Sequence, residues 1–394
     1  MGEQTSLVTH MGSRLPAMLA DIEALVTCES PSSHPAAVSA GAEAVARIGE
    51  RLLGESAERI VIDGTTHVRW RFGEGPSRVL ALGHYDTVWP LGSLTRHPFT
   101  VENGVLRGPG CFDMKAGVVL ALHAVASLAD RSGVTVLLTG DEEIGSPTSR
   151  ALIEAEATGC AAALVLEASA DNGALKTERK GVSLYRLRVS GRAAHAGLEP
   201  ERGVNAALEL AHQALAISAI GDAARGTSVT PTLVTAGTTV NTVPAEGELA
   251  VDVRVRDARE QCRVDKEFRA LRPVLDGARL EVTGGPNRPP LSRTASAHLY
   301  ERAAVLAGEL RLPPLAAVAV GGGSDGNFTA GVGTPTLDGL GAVGGGAHAE
   351  DEHVLVDTLP HRAALLSALM SELLAEPGGP QVADSYAAPG VKRP

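Results

Sequence analysis

Val79-Leu80-Ala81-Leu82-Gly83-His84-Tyr85-Asp86 is an apolar run that ends in a histidine and an acid. The pattern recurs twice downstream: 134–140 runs into Asp141-Glu142-Glu143, and 163–166 runs into Glu167. Short apolar runs bounded by turn residues read as buried strands, and the stretches between them, near 114–129 and 148–157, read as helices. Strands alternating with helices predict an α/β layer with a mostly parallel sheet. In such sheets sites form outside the carboxyl ends of the strands. His84, Asp86, Glu142, Glu143 and Glu167 can therefore converge although they are far apart in the chain.

Upstream, helices are expected at 14–27 and 37–53, on either side of a Ser/Pro-rich break at 30–34, followed by strands at 59–62, 67–72 and 78–83. The middle has a different grammar: strand 182–190, helix 205–219, strands 228–235 and 248–255, helix 260–275 and strand 279–283. That β-α-β-β-α-β order is a ferredoxin-like unit that folds as a four-stranded sheet with two helices on one face. The expectation is an inserted domain at 180–290 within a catalytic α/β domain formed by 1–179 and 291–394. A Pro/Gly-rich joint at 284–290 returns the chain to a helix at 296–310, a strand at 315–320, a Gly-rich loop and a last helix at 360–375. The tail, 376–394, carries Pro and Gly without periodicity and is expected to be mobile.

A length of 394 residues also favours two domains. Aromatics make up 3%, so Ala, Val and Leu must build the cores. A net charge of -11 disfavours phosphate backbones and anionic lipid, so neither nucleic acid nor a membrane surface is an expected partner. No apolar run is long enough to span a bilayer, and no signal-peptide pattern opens the chain. Cys28, Cys111, Cys160 and Cys262 are scattered, which fits reduced thiols and a cytoplasmic location and excludes a zinc ribbon.

Each candidate residue has a plain structural explanation beside the chemical one. His84 is an imidazole suited to zinc, and Asp86 could fix its tautomer; a loop histidine with a solvated aspartate is the alternative. Asp113 precedes an apolar helix and could cap it, or bridge two cations through its two oxygens. Glu142 and Glu143 repel, and burying both is costly unless cations compensate; an exposed acidic turn is the alternative. Glu167 follows an apolar run and needs a metal or a basic partner. His348 lies in a Gly-rich loop, and 348–353 is not HExxH.

Taken in order, Gly83-His84-Tyr85-Asp86-Thr87-Val88, the stretch 107–117 around Asp113, the stretch 139–146 around Glu142-Glu143, Glu167, the stretch 191–197 around His195, and His348 resemble the co-catalytic dizinc amidohydrolases. That family includes glutamate carboxypeptidase, acetylornithine deacetylase, succinyl-diaminopimelate desuccinylase and aminoacylase. The likeness covers nearly the whole chain and is greatest to glutamate carboxypeptidase, including 241–244 and 321–326. It implies one zinc on His84 and Glu167, a second on Glu143 and His348, and Asp113 as the bridge. Cobalt or manganese could replace zinc at such ligands. It further implies Glu142 as general base, Asp86 as the orienter of His84, and His195 as oxyanion donor reaching from a second subunit. Arg254 would grip a substrate carboxylate, with Asn241 beside it and Lys176 adding positive charge. The loop with Gly323 and Ser324 would cradle the substrate. The implied substrate is a small peptide or N-acyl amino acid, the implied activity carboxypeptidase or deacylase, and the implied assembly a homodimer through the inserted domain.

Other readings compete. Gly322-Gly323-Ser324-Asp325-Gly326 fits the G-x-S-x-G elbow of serine hydrolases, with Asp338 or Asp351 and His348 or His353 as partners, but it leaves His84, Glu142 and Glu143 unexplained. The run 339–344 fits G-x-G-x-x-G but lacks the following helix and acid of a dinucleotide site. A non-catalytic metal-binding module would not need a base and His195 beside a full ligand set.

Overall fold

The computed structural model describes residues 2–376, so the expected mobile tail lies outside them apart from Glu376. Three helices open the chain, α1 (Gly2–Ser13), α2 (Leu15–Thr27) and α3 (Pro35–Leu53), followed by strands β1 (Glu58–Ile62), β2 (Thr65–Arg71), β3 (Val79–His84), β4 (Thr100–Glu102) and β5 (Val105–Arg107). Then come α4 (Ala116–Ala126), β6 (Val134–Thr139), α5 (Arg150–Ala157), β7 (Ala162–Val165) and β8 (Leu175–Arg179). The middle holds β9 (Gly181–Ser190), α6 (Ala206–Ser218), β10 (Ser228–Ala236), β11 (Glu246–Val255), α7 (Ala258–Ala270) and β12 (Arg279–Arg288). The remainder is α8 (Arg293–Glu309), β13 (Ala317–Val320), α9 (Gly326–Gly331), β14 (Thr336–Leu337), β15 (Gly344–Gly345), β16 (His353–Leu355) and α10 (Leu359–Ala375).

The central sheet has the order β1-β2-β6-β3-β7-β14. Strands β6, β3, β7 and β14 are parallel, with β14 at one edge, and β1 and β2 add an antiparallel pair at the other. Period-two alternation in β3 sends Val79 and Ala81 into the large core with α2, α3, α4 and α10, and Leu80 and Leu82 into a smaller one with Ile153, Ala157 and Phe328. Covering both faces is what makes these strands read as unbroken apolar runs.

The second sheet has the order β10-β11-β9-β12 and is antiparallel throughout. Tyr185, Leu187 and Val189 of β9 alternate inward onto Leu210, Ile217, Val264 and Phe268 of α6 and α7. Tyr185 stacks on Phe268 with ring centroids 3.8 Å apart.

The structure corrects two expected boundaries here. The helix expected to run to 275 ends at Ala270, because Pro273 disfavours helical geometry just before it. The strand expected to end at 283 runs on through Gly284, Gly285 and Pro286 to Arg288. β12 is an edge strand, where the missing N–H of Pro286 is tolerated, and a bulge falls between Pro286 and Arg288. A further small sheet, β15-β16-β5-β4, is built from strands too short to show periodicity in sequence. Among the described residues no helix is long and apolar enough to cross a membrane.

Candidate active site

The acids and histidines meet at the carboxyl ends of β3, β6 and β7. β3 ends on His84, β6 leads into Asp141-Glu142-Glu143, and Glu167 lies just past β7. Parallel pairing sets these ends side by side. Asp113 comes from the loop ahead of α4. Gly117 lets that helix close on the strand end, since a Cβ there would stand 2.1 Å from the Leu166 carbonyl oxygen. His348 comes from the turn between β15 and β16 at a φ of 64°, a conformation that is costly outside glycine and concentrates at functional positions.

Asp113 divides its two oxygens between two histidines. Oδ1 lies 3.4 Å from His84 Nε2, and Oδ2 lies 3.2 Å from His348 Nε2. Glu167 Oε1 joins the His84 side at 3.7 Å, and Glu143 Oε2 joins the His348 side at 3.2 Å. Two lobes result, each with one imidazole and one glutamate, sharing Asp113. His84 Nε2, Asp113 Oδ1 and Glu143 Oε1 are buried and make no hydrogen bond among the described residues. Buried polar atoms are nearly always satisfied, so a cluster of three orphans calls for a cation. Ligand atoms of His84, Asp113 and Glu143 lie within 4.8 Å of one another, as do those of His84, Glu142 and Glu167. Imidazole nitrogens and carboxylate oxygens are the donors zinc accepts, so these residues fit a divalent-cation site.

The electrostatics agree. Asp113 and then Glu143 push His348 up to about 10. Burial would lower His84, yet Asp113 and Asp86 hold it well above the ordinary histidine value. Burial would raise Asp113, but His348 and His84 pull it below the carboxylate range. Burial raises Glu167 to about 7, with the Asp113 charge adding to the rise and Arg179 opposing it. Burial also raises Glu142 well above its ordinary value, against the pull of Arg288 and His84. A carboxylate with raised proton affinity in a cleft suits general-base work near neutral pH.

Asp86 supports this rim in a way the sequence reading only half anticipated. Its carboxylate accepts from the N–H groups of Glu142 and Glu143 at 3.2 Å each, and from Ser32 Oγ at 2.5 Å. His84 Nδ1 faces the Asp86 main-chain carbonyl at 3.0 Å, with the carboxylate at 3.4 Å. Asp86 thus ties the acidic turn to the histidine.

Residues 80–372 match the family described as peptidase family M20/M25/M40. The chain belongs to this family. Carboxypeptidase G2 of Pseudomonas sp. (strain RS-16) is 30% identical over 380 residues, which span 91% of this chain and 89% of that protein. Succinyl-diaminopimelate desuccinylase of Xanthomonas euvesicatoria pv. vesicatoria (strain 85-10) is 30% identical over 366 residues, 86% of this chain and 94% of that protein. Among solved structures, an M20 family metallo-carboxypeptidase from Sulfolobus solfataricus matches with a TM-score of 0.68 over 91% of this chain and 98% of that one, at 18% identity, a likeness of fold. As a member of the M20 peptidase family, the protein is a hydrolytic enzyme acting on amide bonds, and its family is metal-dependent.

Within this M20 peptidase the expected substrate residues divide. Lys176 lies in the field of Glu167, its ammonium lowered by burial and by Arg179. Gly323 packs so tightly that a Cβ would stand 2.9 Å from Val182 and 3.0 Å from Arg288. Ser324 is held within the fold. Its buried hydroxyl donates to Asp338 Oδ2 at 2.6 Å and its N–H to Asn327 Oδ1 at 2.8 Å. Both groups are thus engaged inside the fold. Asp338 is in turn held by Arg179 through two 2.8 Å bonds, with no histidine joining them among the described residues.

His195, Asn241 and Arg254 lie on the second sheet and its loops, and among the described residues none bonds to the cluster of acids and histidines. His195 is exposed, and its Nδ1 accepts from the Gly197 N–H at 3.1 Å. Asn241 is exposed, and its carbonyl accepts from the Ala196 N–H at 2.9 Å. Arg254 is paired with Asp252 at 2.8 and 2.9 Å.

The residue missed in the sequence is Arg288. Its Nη2 lies 2.8 Å from Glu142 Oε1 and 2.9 Å from Ser146 Oγ, and its guanidinium sits 5.1 Å from the Phe328 ring centroid. Its signal was hidden in a Gly/Pro run read as a joint. Arg288 and Arg254 both pair across Val182, which puts them in one row of the second sheet.

Proposed function

We propose that this M20 enzyme cuts an amide or peptide bond with two divalent cations, zinc foremost, and releases an amino acid with a free carboxylate, in the manner of a glutamate carboxypeptidase. The observation that carries this reading is the divided contact of Asp113 with His84 on one side and His348 on the other. His84 and Glu167 would hold one cation, Glu143 and His348 the other, and Asp113 both. Bound there, the cations supply Lewis acidity that polarises the scissile carbonyl and acidifies a water.

The chain's own groups do the rest. Arg288 holds one oxygen of Glu142, which leaves the other to take the proton of the attacking water and pass it to the leaving nitrogen. His195 donates to the developing oxyanion. Because it is exposed and unconnected to the cluster of its own chain, His195 serves the site of a second copy. A homodimer through the second layer is supported by exposed Leu208 and Leu215 on α6 and exposed Leu233 and Val234 on the edge strand β10. Arg288 and Arg254 supply the positive row for the substrate carboxylate, and Lys176 adds charge on the side of Glu167. Asn241 lies with His195 at the opposite end of β11 from Arg254, so it would reach the substrate together with His195 from the second copy. The four cysteines are free thiols, which supports a reducing, cytoplasmic location.

Deacylation of an N-acyl amino acid is the second reading, supported by the desuccinylase relative. The test is to load the protein with zinc, offer peptides ending in glutamate alongside N-acyl and N-succinyl amino acids, and detect the freed amine. Turnover of the acyl compounds alone selects the deacylase reading. No release from any of them by a zinc-replete, folded preparation removes both.

A further inference from the structure

Glu352 is a buried carboxylate, 3% exposed, that makes no ion pair among the described residues and receives four N–H donors. Oε1 accepts from Phe112 N at 2.9 Å and Asp113 N at 3.0 Å. Oε2 accepts from Gly110 N at 2.9 Å and from the Trp89 indole N–H at 2.7 Å.

The small sheet explains the placement. β16 begins one residue after Glu352 and pairs antiparallel with β5, His353 opposite Arg107. Glu352 is therefore delivered to the mouth of the loop that leaves β5 and carries Asp113. Gly110, at a φ of 69°, turns that loop so that successive N–H groups converge. A Cβ at Gly110 would stand 2.4 Å from Thr87 Cγ2, so the turn is closed to larger residues. Converging main-chain N–H groups form an anion-binding nest, and here the anion belongs to the chain itself. The turn that supplies it is tight: Ala349 N donates to Gly346 O at 2.9 Å and Glu352 N to Ala349 O at 3.0 Å. His348 sits in that same turn and touches Asp113 from the other side.

We infer that Glu352 is a positioning residue for Asp113, holding its backbone so that its two side-chain oxygens face the two histidines. The inference rests on the metal reading of the site given above. One turn then delivers a ligand, His348, and the clamp on the shared ligand, so the two arrive together. Without the clamp the N–H groups of Gly110, Phe112 and Asp113 lose their acceptor inside the protein. A buried donor left unsatisfied is costly, so the loop would shift to find other partners and carry Asp113 with it.

A purely structural role for Glu352 would lower the melting temperature but leave the zinc affinity of folded molecules unchanged. A positioning role lowers the affinity itself. The experiment uses the full chain with zinc ions alone as the probe, in competition with a chromophoric chelator, and counts zinc per chain. Thermal unfolding of the metal-free proteins is recorded alongside. Glu352→Gln is expected to weaken zinc binding about 10- to 100-fold, the usual consequence of losing a group that orients a ligand. Trp89→Phe, which removes one donor of the four, weakens it by a smaller factor. Glu350→Gln, in the same turn but solvent-exposed, leaves it unchanged. A folded Glu352→Gln that binds zinc like the wild type overturns the inference, whatever its melting temperature. Should Glu352→Gln fail to fold, Trp89→Phe decides: weakened binding supports the inference and unchanged binding overturns it. Wild-type protein that binds no zinc would overturn the site reading and this inference together, and that failure is visible before any variant is made.

Discussion

The rim of the central sheet and the second, antiparallel layer treat charge in opposite ways. At the rim, Asp113, Glu142, Glu143 and Glu167 crowd around His84 and His348, and buried polar atoms are left open toward one another. On the second layer, charges are paired internally: Glu260 is held by Arg225, Arg263 and Thr227, and Arg254 by Asp252. The second layer instead leaves His195 and several leucines at the surface. One region therefore gathers acids and histidines into a candidate cation site within a single chain. The other satisfies its charges within the layer and leaves His195 exposed, which is what the proposed use of His195 on a second copy requires.

The largest expected effect breaks the rim alone. Glu142→Gln should retain its zinc and lose about 10²- to 10⁴-fold in kcat, measured by steady-state kinetics beside metal analysis. A variant running at full speed would remove Glu142 as the base.

The next test joins the two regions. His195→Ala should cost about 10²- to 10³-fold in kcat, as loss of an oxyanion donor does. Mixed dimers of His195→Ala with Glu142→Gln should regain activity that neither variant has alone, because one site then contains both intact residues. Verified mixed dimers without recovery would place His195 in its own chain's site, or outside the chemistry.

A finer test compares the two arginines of one row. Arg288→Ala truncates a buried charge pair and should cost about 2–5 kcal/mol in kcat/KM. Arg254→Ala should raise KM by a smaller factor and leave kcat nearly unchanged. Equal effects from both would erase the distinction between a residue beside the base and one further along the sheet.

The smallest effect concerns the self-paired charges. Arg263 first, then Arg225 and Thr227, lower the Glu260 carboxyl from 4.5 to about 2, against burial. Its folded-state value lies below its ordinary one, so its stabilisation is present above about pH 4.5 and lost as the pH falls through about 2. Glu260→Gln should destabilise the protein by at most about 1 kcal/mol at pH 7. The difference from wild type in thermal unfolding should close as the pH approaches 2. A gap that persists there would mean that Glu260 acts through packing rather than charge.

Much of this is legible in the chain alone. The apolar runs ahead of His84, Glu142-Glu143 and Glu167 name the strands whose ends form the site, and the β-α-β-β-α-β order names the second layer. Other features were not legible. Gly284, Gly285 and Pro286 read as a joint, and only an edge position beside β9 turns them into strand and brings Arg288 to Glu142. Glu352 belongs to a turn whose flanking strands are two and three residues long, too short for any period to show. Ser324 matches a nucleophile pattern, and only the structure shows its hydroxyl buried against Asp338.

The sequence by itself therefore determined which chemistry-bearing residues stand at the ends of strands, because a strand's period and its terminus are local properties of the chain. Only the tertiary structure decided which ionisable groups face one another, because the partners of a charge follow from distance and burial through space rather than from spacing along the backbone.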